Sequence, residues 1–462
     1  MLKRRNVLLW GILLLTAICF AQGPLVPPGP PGETYKSLGE IEPRTPIKSL
    51  PYTISAPGSY YLTGNLTYSA PTQNGISIEA SNVTIDFMGF AINGPGTLST
   101  ADFSGIATSG ARNNITIKNG SVYEWKNDGI NLDNTTNTLV MNMNIARIGD
   151  YGIYGESHTQ IINCNVSECV DDGIYVGANA LVKDCNAFDC DYGIYTSLSS
   201  KVINCAAYQN ALSGIAVASG STVQGCASYM NDGDGFLARG RAINIIGCTS
   251  YYNDDDGYGV TNAIGIDGDR YQIHILDSVA EHNSDNGIEA GKGSNIQRCN
   301  IMENDGAGIH LAQTFGTINQ GTKPSYSTIK DCNIYDNGEQ GVYIYSYAVV
   351  TGNVCSSNYD GIWVRLQIAG PILGDEKDSG SKVGVNASYP GKGNRIEGNS
   401  LINNTNYGLY APDDSNSLII KNWAYSNGSD YNIGSGNLAG PIVTGSLGTN
   451  DNPHANYSYL LP

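Results

Sequence analysis

The sequence predicts an all-β fold, a solenoid in which short strands stack coil upon coil. Three observations predict it. A glycine followed by an apolar residue returns at a nearly fixed interval, a second repeat of cysteine and asparagine runs in phase with it, and the composition suits strands and turns. Glycine accounts for 57 of 462 residues and charged residues for 15%, and no long amphipathic 3.6-residue period is visible.

The glycine repeat sets the size of one coil. Its commonest step of 20 to 22 residues is too short for a helical hairpin repeat and suits one coil of a β-solenoid. At about 4.8 Å per coil, the copies predict one continuous core of roughly 65–70 Å, and therefore one domain. The copies begin at Gly75, Gly105, Gly129, Gly152, Gly173, Gly193, Gly214, Gly235, Gly257, Gly287, Gly308, Gly341, Gly361 and Gly408.

The second repeat places a thiol or small residue after a short apolar strand, and an asparagine five residues later. Asparagine tolerates the left-handed backbone of a tight turn, and its amide can bond to the coils above and below. The first position holds Cys164, Cys185, Cys205, Cys226, Cys248, Ser278, Cys299, Cys332 and Asn353. The second holds Cys169 and Cys190, then Asn210, Asn231, Asn253, Asn283, Asn304, Asn337, Asn358, Asn404 and Asn427.

An asparagine ladder of this kind resembles that of right-handed parallel β-helix proteins, the pectate-lyase-like group, over residues 75–428. The resemblance implies a single-stranded right-handed parallel β-helix of about 14 coils with a cap at each end. It leaves the activity open, because this fold hosts lyases, hydrolases, epimerases, phage tailspikes, adhesins and periplasmic copper-site maturation proteins.

The first 21 residues have the pattern of an export signal. Three basic residues at 3–5 precede an apolar run at 7–20, and Ala21 suits a small-residue cleavage site. A transmembrane anchor is the alternative, but the run is short and a Pro/Gly-rich stretch follows it. A lipid anchor at Cys19 is a poorer match, because Ile18 precedes the cysteine. We therefore expect export to the periplasm, the cell surface or the medium, with no membrane-spanning segment after cleavage.

The rest of the chain divides into a tether and one solenoid. Residues 22–45 are rich in proline and glycine and predict an extended linker. Residues 46–462 form the predicted solenoid domain. Within it, 46–74 and 429–462 are the candidate caps of the repeat coils, because a solenoid needs both open ends covered.

The charge balance is strongly acidic. A net charge of −17 argues against nucleic acid and anionic membrane surfaces as partners. Carboxylates collect just before the repeated glycine, where neighbouring coils would bring them within a Debye length of one another. Calcium would relieve the repulsion, and Asp254, Asp255 and Asp256 are the candidate ligands. The alternative is a solvated acidic edge in which aspartate serves turn geometry.

Ten cysteines remain after signal cleavage. Because five of them occupy one position on five successive coils, we expect buried thiols that act as small apolar side chains. Disulfides are the usual alternative in an exported protein, and Cys169 with Cys190 is the candidate pair. A metal site is disfavoured, because the chain has no CxxC motif or histidine-rich cluster.

The second and fourth residues after each glycine should point outwards if the first points into the core. Flat rings on successive coils could form a platform for sugar rings, and arginine suits carboxylate recognition. The alternative is a tyrosine ladder that packs only against itself. The candidate ligand-binding residues at these positions are Tyr154, Tyr175, Tyr195, Arg239, Tyr343, Tyr345 and Trp363.

Three coils carry insertions at the same turn, after Gly257, Gly308 and Gly361, and the largest insertion spans 366–394. Loops clustered on one side of a rigid scaffold are where binding and chemistry usually occur. The predicted loops would wall a groove whose candidate catalytic residues are Glu289, His310, Arg365, Asp267 and Asp269. Paired carboxylates there would suit hydrolysis, and an arginine with a histidine base would suit elimination or epimerisation of a uronate.

No catalytic motif of a known polysaccharide-active family is recognisable, so three hypotheses follow. The leading one is an exported β-helix that binds an extracellular or cell-surface polysaccharide through its aromatic, loop-lined face. The second is a polysaccharide lyase or glycoside hydrolase that acts on acidic glycans. The third is a structural or adhesive rod. No cofactor other than calcium is expected, and the oligomeric state stays open.

Overall fold

The computed structural model describes residues 42–100, 102–260, 272–291, 293–311, 327–345, 347–365, 393–413, 415–444 and 452–459. The chain separates into a first unit, Met1–Arg44, and a second, Thr45–Pro462. In the described part of the second unit every element is a strand, and every strand pairing is parallel. No helix of the described residues is long and apolar enough to cross a membrane.

The smaller sheet contains one strand from each coil, 16 in the described part of the chain. Fourteen of these strands coincide with the 14 glycine-apolar repeats, and one further strand lies at each end. The predicted number of coils is thereby confirmed. The strands are Tyr52–Ile54, Ile76–Ile78, Ile106–Thr108, Ile130–Leu132, Ile153–Gly155, Ile174–Val176, Ile194–Thr196, Ile215–Ala218, Phe236–Arg239, Tyr258–Val260, Ile288–Ala290, Ile309–Leu311, Gln340–Ile344, Asp360–Val364, Tyr407–Ala411 and Ser429–Ile433.

The larger sheet contains two strands from most coils, 32 among the described residues. They are Thr45–Ile47, Gly58–Leu62, Leu66–Thr67, Val83–Asp86, Ala91–Asn93, Arg112–Tyr123, Thr135–Ile148, Gln160–Ile162, Asn165–Cys169, Leu181–Lys183, Asn186–Phe188, Lys201–Ile203, Ala206–Tyr208, Thr222–Gln224, Ala227–Tyr229, Ile243–Ile246, Thr249–Tyr251, Ile273–Leu276, Val279–Glu281, Asn295–Gln297, Asn300–Met302, Ser327–Lys330, Asn333–Tyr335, Ala348–Thr351, Val354–Ser356, Arg395–Glu397, Ser400–Ile402, Leu418–Ile420, Trp423–Tyr425, Leu438–Ala439, Ile442–Thr444 and Asn456–Tyr459.

The repeated glycines stand where a carbonyl oxygen of the next coil leaves no room for a β-carbon. A β-carbon on Gly152 would lie 2.5 Å from the carbonyl oxygen of Gly173, and one on Gly173 would lie 2.8 Å from that of Gly193. The same carbonyls accept hydrogen bonds from the residue after the previous glycine, as Ile153 N to Gly173 O at 3.0 Å. Any larger residue would push the coils apart and break these bonds.

The asparagine repeat forms a continuous internal ladder. Asn210 Nδ2 donates to Asn231 Oδ1 at 2.9 Å, and Asn231 Nδ2 donates to Asn253 Oδ1 at 2.8 Å. The ladder continues through Asn283, Asn304, Asn337, Asn358, Asn404 and Asn427. Each amide satisfies buried backbone groups that water cannot reach, which is why a polar residue is tolerated inside the core.

The residue just before each of the two repeat positions, the cysteine position and the asparagine position, forms a corner of the coil with left-handed backbone. Asn204, before Cys205, has a φ of 52°, and Met230, before Asn231, has a φ of 56°. Two such corners per coil turn the chain between strands, and asparagine, aspartate or glycine fills many of them because these residues adopt positive φ most easily.

The cysteines lie inside the solenoid, as the buried-thiol interpretation requires. All ten in the described part of the chain are buried and free, including Cys169 and Cys190. Cys164 N donates to Cys185 Sγ at 3.5 Å, and Cys205 N donates to Cys226 Sγ at 3.4 Å. The thiol sulfurs thus accept the backbone bond that asparagine oxygens accept in the neighbouring ladder.

The last strand of the chain lies between two strands that precede it in sequence. Asn456–Tyr459 pairs with Trp423–Tyr425 on one side and with Ile442–Thr444 on the other. A later segment of the chain therefore lies between two earlier ones. Asn422 Nδ2 donates to Asn456 Oδ1 at 3.1 Å, so the inserted strand also ends the ladder that begins at Asn353.

Candidate functional site

The outward-facing residues of the smaller sheet form a row along the solenoid, here called the outer row. The first residue after each glycine points into the core, as Ile153 and Ile174 do with 0% exposure, and the next points outwards. This alternation is the predicted one. In register, one half of the row holds Tyr154, Tyr175 and Tyr195, and the other holds Glu289, His310, Tyr343, Trp363 and Tyr410.

Tyr154, Tyr175 and Tyr195 stack face to face. Ring centroids are 5.0 and 5.1 Å apart, with interplanar angles of 0° and 10°. The guanidinium of Arg239 covers the end of the stack, 4.9 Å from the Tyr195 centroid. The ring faces are therefore occupied by one another, which matches a self-packed tyrosine ladder. Ring edges and hydroxyls are what remains for a ligand.

His310 and Tyr343 continue the outer row on adjacent strands, with ring centroids 4.9 Å apart. Arg365 Nη1 donates to Tyr343 Oη at 2.7 Å and to Tyr345 Oη at 3.5 Å. Burial, and then the positive charge of Arg365, lower the pKa of His310 to about 4. The imidazole is therefore neutral at neutral pH and can accept one hydrogen bond and donate another.

Trp363 continues this half of the row. It stacks on Tyr410 with centroids 4.0 Å apart, and Tyr407 lies beside both rings, 6.2 Å from Trp363 and 5.4 Å from Tyr410. Tyr407 and Tyr410 were not among the residues predicted from the sequence. Tyr410 is the second residue after Gly408, so the rule applied to the other coils would have found it.

The acidic residues before the glycines converge at one place. Asp234, Asp255 and Asp256 each place a carboxylate oxygen within 4.8 Å of the others, and they form the candidate metal group of the described residues. The group contains Asp255 and Asp256 of the predicted calcium ligands together with Asp234, and Asp254 is not part of it. Asp234 and Asp256 each directly precede the repeated glycine on neighbouring coils, which brings them close together.

Burial and mutual repulsion act strongly on this acidic group. Asp234 is 8% exposed and Asp256 is 5% exposed. Burial, followed by the charges of Asp255 and Glu289, raises the pKa of Asp234 to about 8. Burial, followed by the charges of Glu289 and Asp234, raises the pKa of Asp256 as well. A cation placed here would reverse these shifts.

Several of the repeated aspartates have a structural role in the turns, which is one of the two interpretations that the sequence left open. The carboxylate before the glycine accepts the backbone N–H one coil further on: Asp128 from Tyr151 at 3.3 Å, and Asp256 from Asn286 at 2.9 Å. Asp360 accepts from the Tyr407 N–H at 2.9 Å. Turn bonding therefore accounts for part of the acidic pattern without a ligand.

A second aromatic stack on the larger sheet was missed. Phe188, Tyr208, Tyr229 and Tyr251 stack with centroids 4.7 to 4.9 Å apart and interplanar angles of 5° to 8°. Each lies three residues after a cysteine of the first repeat. The signal was in the sequence, but positions were counted only from the glycines.

Some predicted site residues lie outside the described ranges. These are Asp267 and Asp269, together with nearly all of the insertion 366–394, of which only 393 and 394 are described. The described strands that precede the three insertions, Tyr258–Val260, Ile309–Leu311 and Asp360–Val364, all belong to the smaller sheet, as predicted. The residues that the structure does bring together are Glu289, His310, Tyr343, Trp363 and Arg365.

Comparisons with solved structures find similar solenoids at low identity. The A-module of the mannuronan C-5 epimerase AlgE4 from Azotobacter vinelandii is 14% identical, with a TM-score of 0.42, and the match covers 82% of this chain and 90% of that one. Pectate lyase Pel9A is 14% identical, with a TM-score of 0.31 and coverage of 65% and 70%. The periplasmic alginate epimerase AlgG, as a double mutant, is 12% identical, with a TM-score of 0.34 and coverage of 85% and 80%. Scores this low carry no argument about the site.

Sequence comparison gives the family. Among curated proteins none matches this chain to a significant degree. The family model described as the right handed beta helix region matches residues 54–207, 177–322 and 318–445, which together span most of the chain. With the parallel coils, the glycine column and the asparagine ladder, the match identifies the chain as a member of the right-handed β-helix family.

Proposed function

We propose that the protein is an exported polysaccharide-binding protein that holds its ligand along the outer row. One observation carries the proposal: Glu289, His310, Tyr343 and Trp363 lie on four successive strands of one sheet, in register and facing outwards. A linear polymer can contact the same position of several coils, which a compact small molecule cannot. Neighbouring strands are about 4.8 Å apart, so the four side chains extend over roughly 15 Å.

The chemistry of this half of the row suits sugar hydroxyls. Tyr343 and Arg365 are linked by a hydrogen bond, and the neutral imidazole of His310 stacks beside them. Hydroxyls, guanidinium N–H groups and ring edges offer donors and acceptors together, which orient a hydroxylated chain without requiring a charged one. The stacked tyrosines at the other half contribute hydroxyls and a rigid wall.

The test is a glycan array with the purified 22–462 protein, followed by affinity measurements on any ligand found. Trp363→Ala should weaken binding by about tenfold or more, since an aromatic contact that packs against a ligand is often a hot spot. Trp423→Ala is the matched control, because Trp423 is 45% exposed on the larger sheet. Equal loss in both variants, or no glycan bound by the wild type, would reject the proposal.

Calcium is proposed as an accessory of this surface. Asp234, Asp255 and Asp256 supply oxygen ligands within 4.8 Å of one another, and their repulsion would be relieved by a hard cation. Calcium should raise the melting temperature, and EDTA should remove the gain. Asp255→Asn should abolish the response, whereas Asp254→Asn should keep most of it. If added calcium does not change the melting temperature, the calcium site is rejected.

Glycoside hydrolysis is the second candidate, favoured by the unequal environments of Asp234 and Asp255. Asp234 is buried with its pKa raised to about 8, and Asp255 is exposed. Two neighbouring carboxyl groups in unequal environments, one buried and one exposed, are the arrangement of a general acid and its partner. Retaining glycosidases separate the two by about 5 Å. If the wild type releases new reducing ends from a glycan and neither Asp234→Asn nor Asp255→Asn does so, the protein is a hydrolase. If the wild type releases no reducing ends from any glycan that it binds, hydrolysis is excluded.

A further inference from the structure

We propose that the second aromatic stack is a separate binding site for an uncharged, extended polysaccharide. The inference goes beyond the proposed function, because the stack lies on the larger sheet and shares no residue with the outer row. Two observations carry it. Three tyrosine hydroxyls in a row have no hydrogen-bond partner in the described part of the chain, and the surface around them is uncharged and partly apolar.

The stack is a regular row of ring edges. Tyr208, Tyr229 and Tyr251 occupy the same position on three successive strands, and Phe188 occupies it on the strand before them. The centroids of neighbouring rings are 4.7 to 4.9 Å apart, so the three spacings make the stack roughly 14 Å long. Because the ring faces cover one another, a ligand can reach only the ring edges and the hydroxyl groups.

The hydroxyls of Tyr208, Tyr229 and Tyr251 set this stack apart. None of them makes a hydrogen bond within the described residues, whereas in the outer row Tyr154 Oη donates to Glu156 Oε1 at 3.3 Å. Each unpaired hydroxyl can donate one hydrogen bond and accept two. At intervals of one coil they form a repeating set of donors and acceptors, which matches a polymer whose own hydroxyls recur at a fixed interval.

The surface beside the rings is open on one side. Ala206, Ala227 and Thr249 are the other outward-facing residues of the same three strands, and their short side chains leave the flank of the rings uncovered. Gly247 forms the corner before the last of these strands, and a β-carbon on it would meet nothing within 4 Å. A chain of sugar rings therefore has room to lie along the stack.

Exposed apolar residues border the other side. Met230 and Tyr252, which directly follow Tyr229 and Tyr251, are 51% and 50% exposed. Contiguous apolar side chains that stay exposed, here next to a row of rings, are typical of a binding surface. Sugar rings have apolar C–H groups as well as hydroxyls, so the exposed side chains and the hydroxyl row suit the same ligand.

The site is uncharged, although the whole chain has a net charge of −17. On the three tyrosine coils the outward positions of these strands and the corner residues on either side carry no charge. Charged residues appear beyond the ends, among them Lys183 and Asp184, which form an ion pair of 2.6 Å, at one end and Glu281 at the other. A charged sugar would lose hydration at the stack without gaining a counter-ion, so the matching ligand is a neutral one.

The dimensions favour a slim polymer over a protein partner. From Ala227 to Met230 the chain covers about 10 Å, so the surface has an area on the order of 150 Å². A stable protein interface buries about 800 Å² on each partner, several times more than this surface offers. A single extended glycan chain has the matching length and width, and a second copy of the protein does not.

The experiment counts the oligosaccharides that the full chain binds. Hexamers of β-1,4-linked glucose, mannose and xylose are the neutral probes, an α-1,4-linked galacturonate hexamer is the charged probe, and calorimetry at neutral pH gives stoichiometry and affinity. Ala227→Gln places a longer uncharged side chain beside the rings and should lower the number of neutral hexamers bound per chain by one. Val354→Gln is the matched control, because Val354 faces outwards at the same strand position further along the sheet and is 37% exposed.

Three results would overturn the inference. The first is that no neutral hexamer binds to the wild type. The second is that Ala227→Gln binds as many neutral hexamers as the wild type, or loses no more than Val354→Gln does. The third is that the hexamer displaced by Ala227→Gln is the galacturonate one, since this would contradict the neutral assignment.

Tyr229→Phe tests the hydroxyl row, because it removes one hydroxyl and keeps the ring stack. It should weaken the neutral hexamer at this site by about threefold or more. Tyr425→Phe makes the same change at the same strand position of a distant coil and should change the affinity by less than twofold. A melting curve checks that both variants fold. Unchanged affinity in Tyr229→Phe would contradict the role of the hydroxyls.

Trp363→Ala separates this site from the outer row. It acts on the outer row and should leave the hexamer at the second aromatic stack bound. If Trp363→Ala removes every bound glycan, the inference is overturned and the proposed function stands. If Ala227→Gln removes the only bound hexamer and Trp363→Ala has no effect, the second aromatic stack is the binding site and the proposed function is rejected.

Discussion

The carboxylate of Asp234 lies directly against Gly259 of the next coil, so closely that a β-carbon on Gly259 would come within 2.5 Å of it. Glycine at this outer-row position is therefore what lets the acidic group close. Any side chain there would expel the carboxylate, because the short aspartate has little freedom to move away.

Gly259→Ala tests this relationship. We expect a loss of about 1–3 kcal/mol in the free energy of unfolding, as for overpacking elsewhere, and a loss of any calcium-dependent rise in melting temperature. Denaturant unfolding measures the first and thermal melts measure the second. Gly64→Ala is the control, because a β-carbon at Gly64 meets nothing within 4 Å. Unchanged stability in Gly259→Ala would contradict the close packing.

The asparagine ladder predicts a large effect from one amide. In Asn231→Ala, the Asn210 N–H and Nδ2 lose the oxygen that they reach at 3.1 and 2.9 Å, and Asn253 Oδ1 loses a donor at 2.8 Å. Leaving several buried groups unpaired should cost about 3 kcal/mol or more. Asn244→Ala, on an outward-facing position, should cost less than about 1 kcal/mol. Similar losses in both variants would count against the ladder.

Because the thiols are buried, we expect the folded protein to react very slowly with thiol reagents. With all ten described cysteines buried and free, the native protein should react with a thiol reagent only at the rate of unfolding, and all should react in denaturant. The melting temperature should not change when a reductant is added. A mass two daltons below the fully reduced chain, mapped to Cys169 and Cys190, would instead establish the disulfide that the sequence offered as an alternative.

Stability should fall as the pH rises through neutrality. Burial, then the charge of Asp171, raises the pKa of Asp172 to about 7; burial, then the charge of Asp128, raises the pKa of Asp150 to about 6. The folded state therefore holds protons that the unfolded state has released. The stabilisation is complete below a pH of about 4 and is lost by about 7.

Asp172→Asn isolates one of these groups. The amide oxygen can still accept the Tyr192 N–H, which Asp172 Oδ1 now accepts at 3.3 Å, but no charge is buried. We expect the variant to be more stable than the wild type at pH 8 and to have a smaller pH slope between 5 and 8. Asp189→Asn, at an exposed position, should reproduce the wild-type slope. A steeper slope in Asp172→Asn would refute the assignment.

The coils could be predicted from the sequence because each repeated residue is needed for a local structural reason that recurs in every coil. Glycine stands where a carbonyl of the next coil leaves no room, and asparagine stands where buried backbone groups need two bonds. Such requirements recur in every coil, so they appear in the sequence as a period. The inward and outward alternation after the glycine followed from strand geometry alone.

The site was less predictable because it depends on which coils are neighbours. Asp254, Asp255 and Asp256 are adjacent in sequence, but the structure joins the last two to Asp234 of the preceding coil. From the sequence, Tyr154, Tyr175 and Tyr195 could form either a platform for sugar rings or a ladder that packs on itself. The structure shows parallel stacked rings, and the sequence could not predict this because side-chain packing decides the ring orientation. Trp363 and Arg365 were selected correctly as outward-facing residues, but their contacts required coordinates.

The ladder of asparagines also constrains how such a chain can change length during evolution. Removing one residue from a coil would place a core isoleucine on the surface and move an amide out of line with its neighbours. Duplicating or deleting a complete coil, such as 193–213, would return every amide, glycine and corner to an equivalent partner. Genes for this solenoid should therefore grow and shrink in whole coils, whereas residues are added freely only at turns, as at the three insertions.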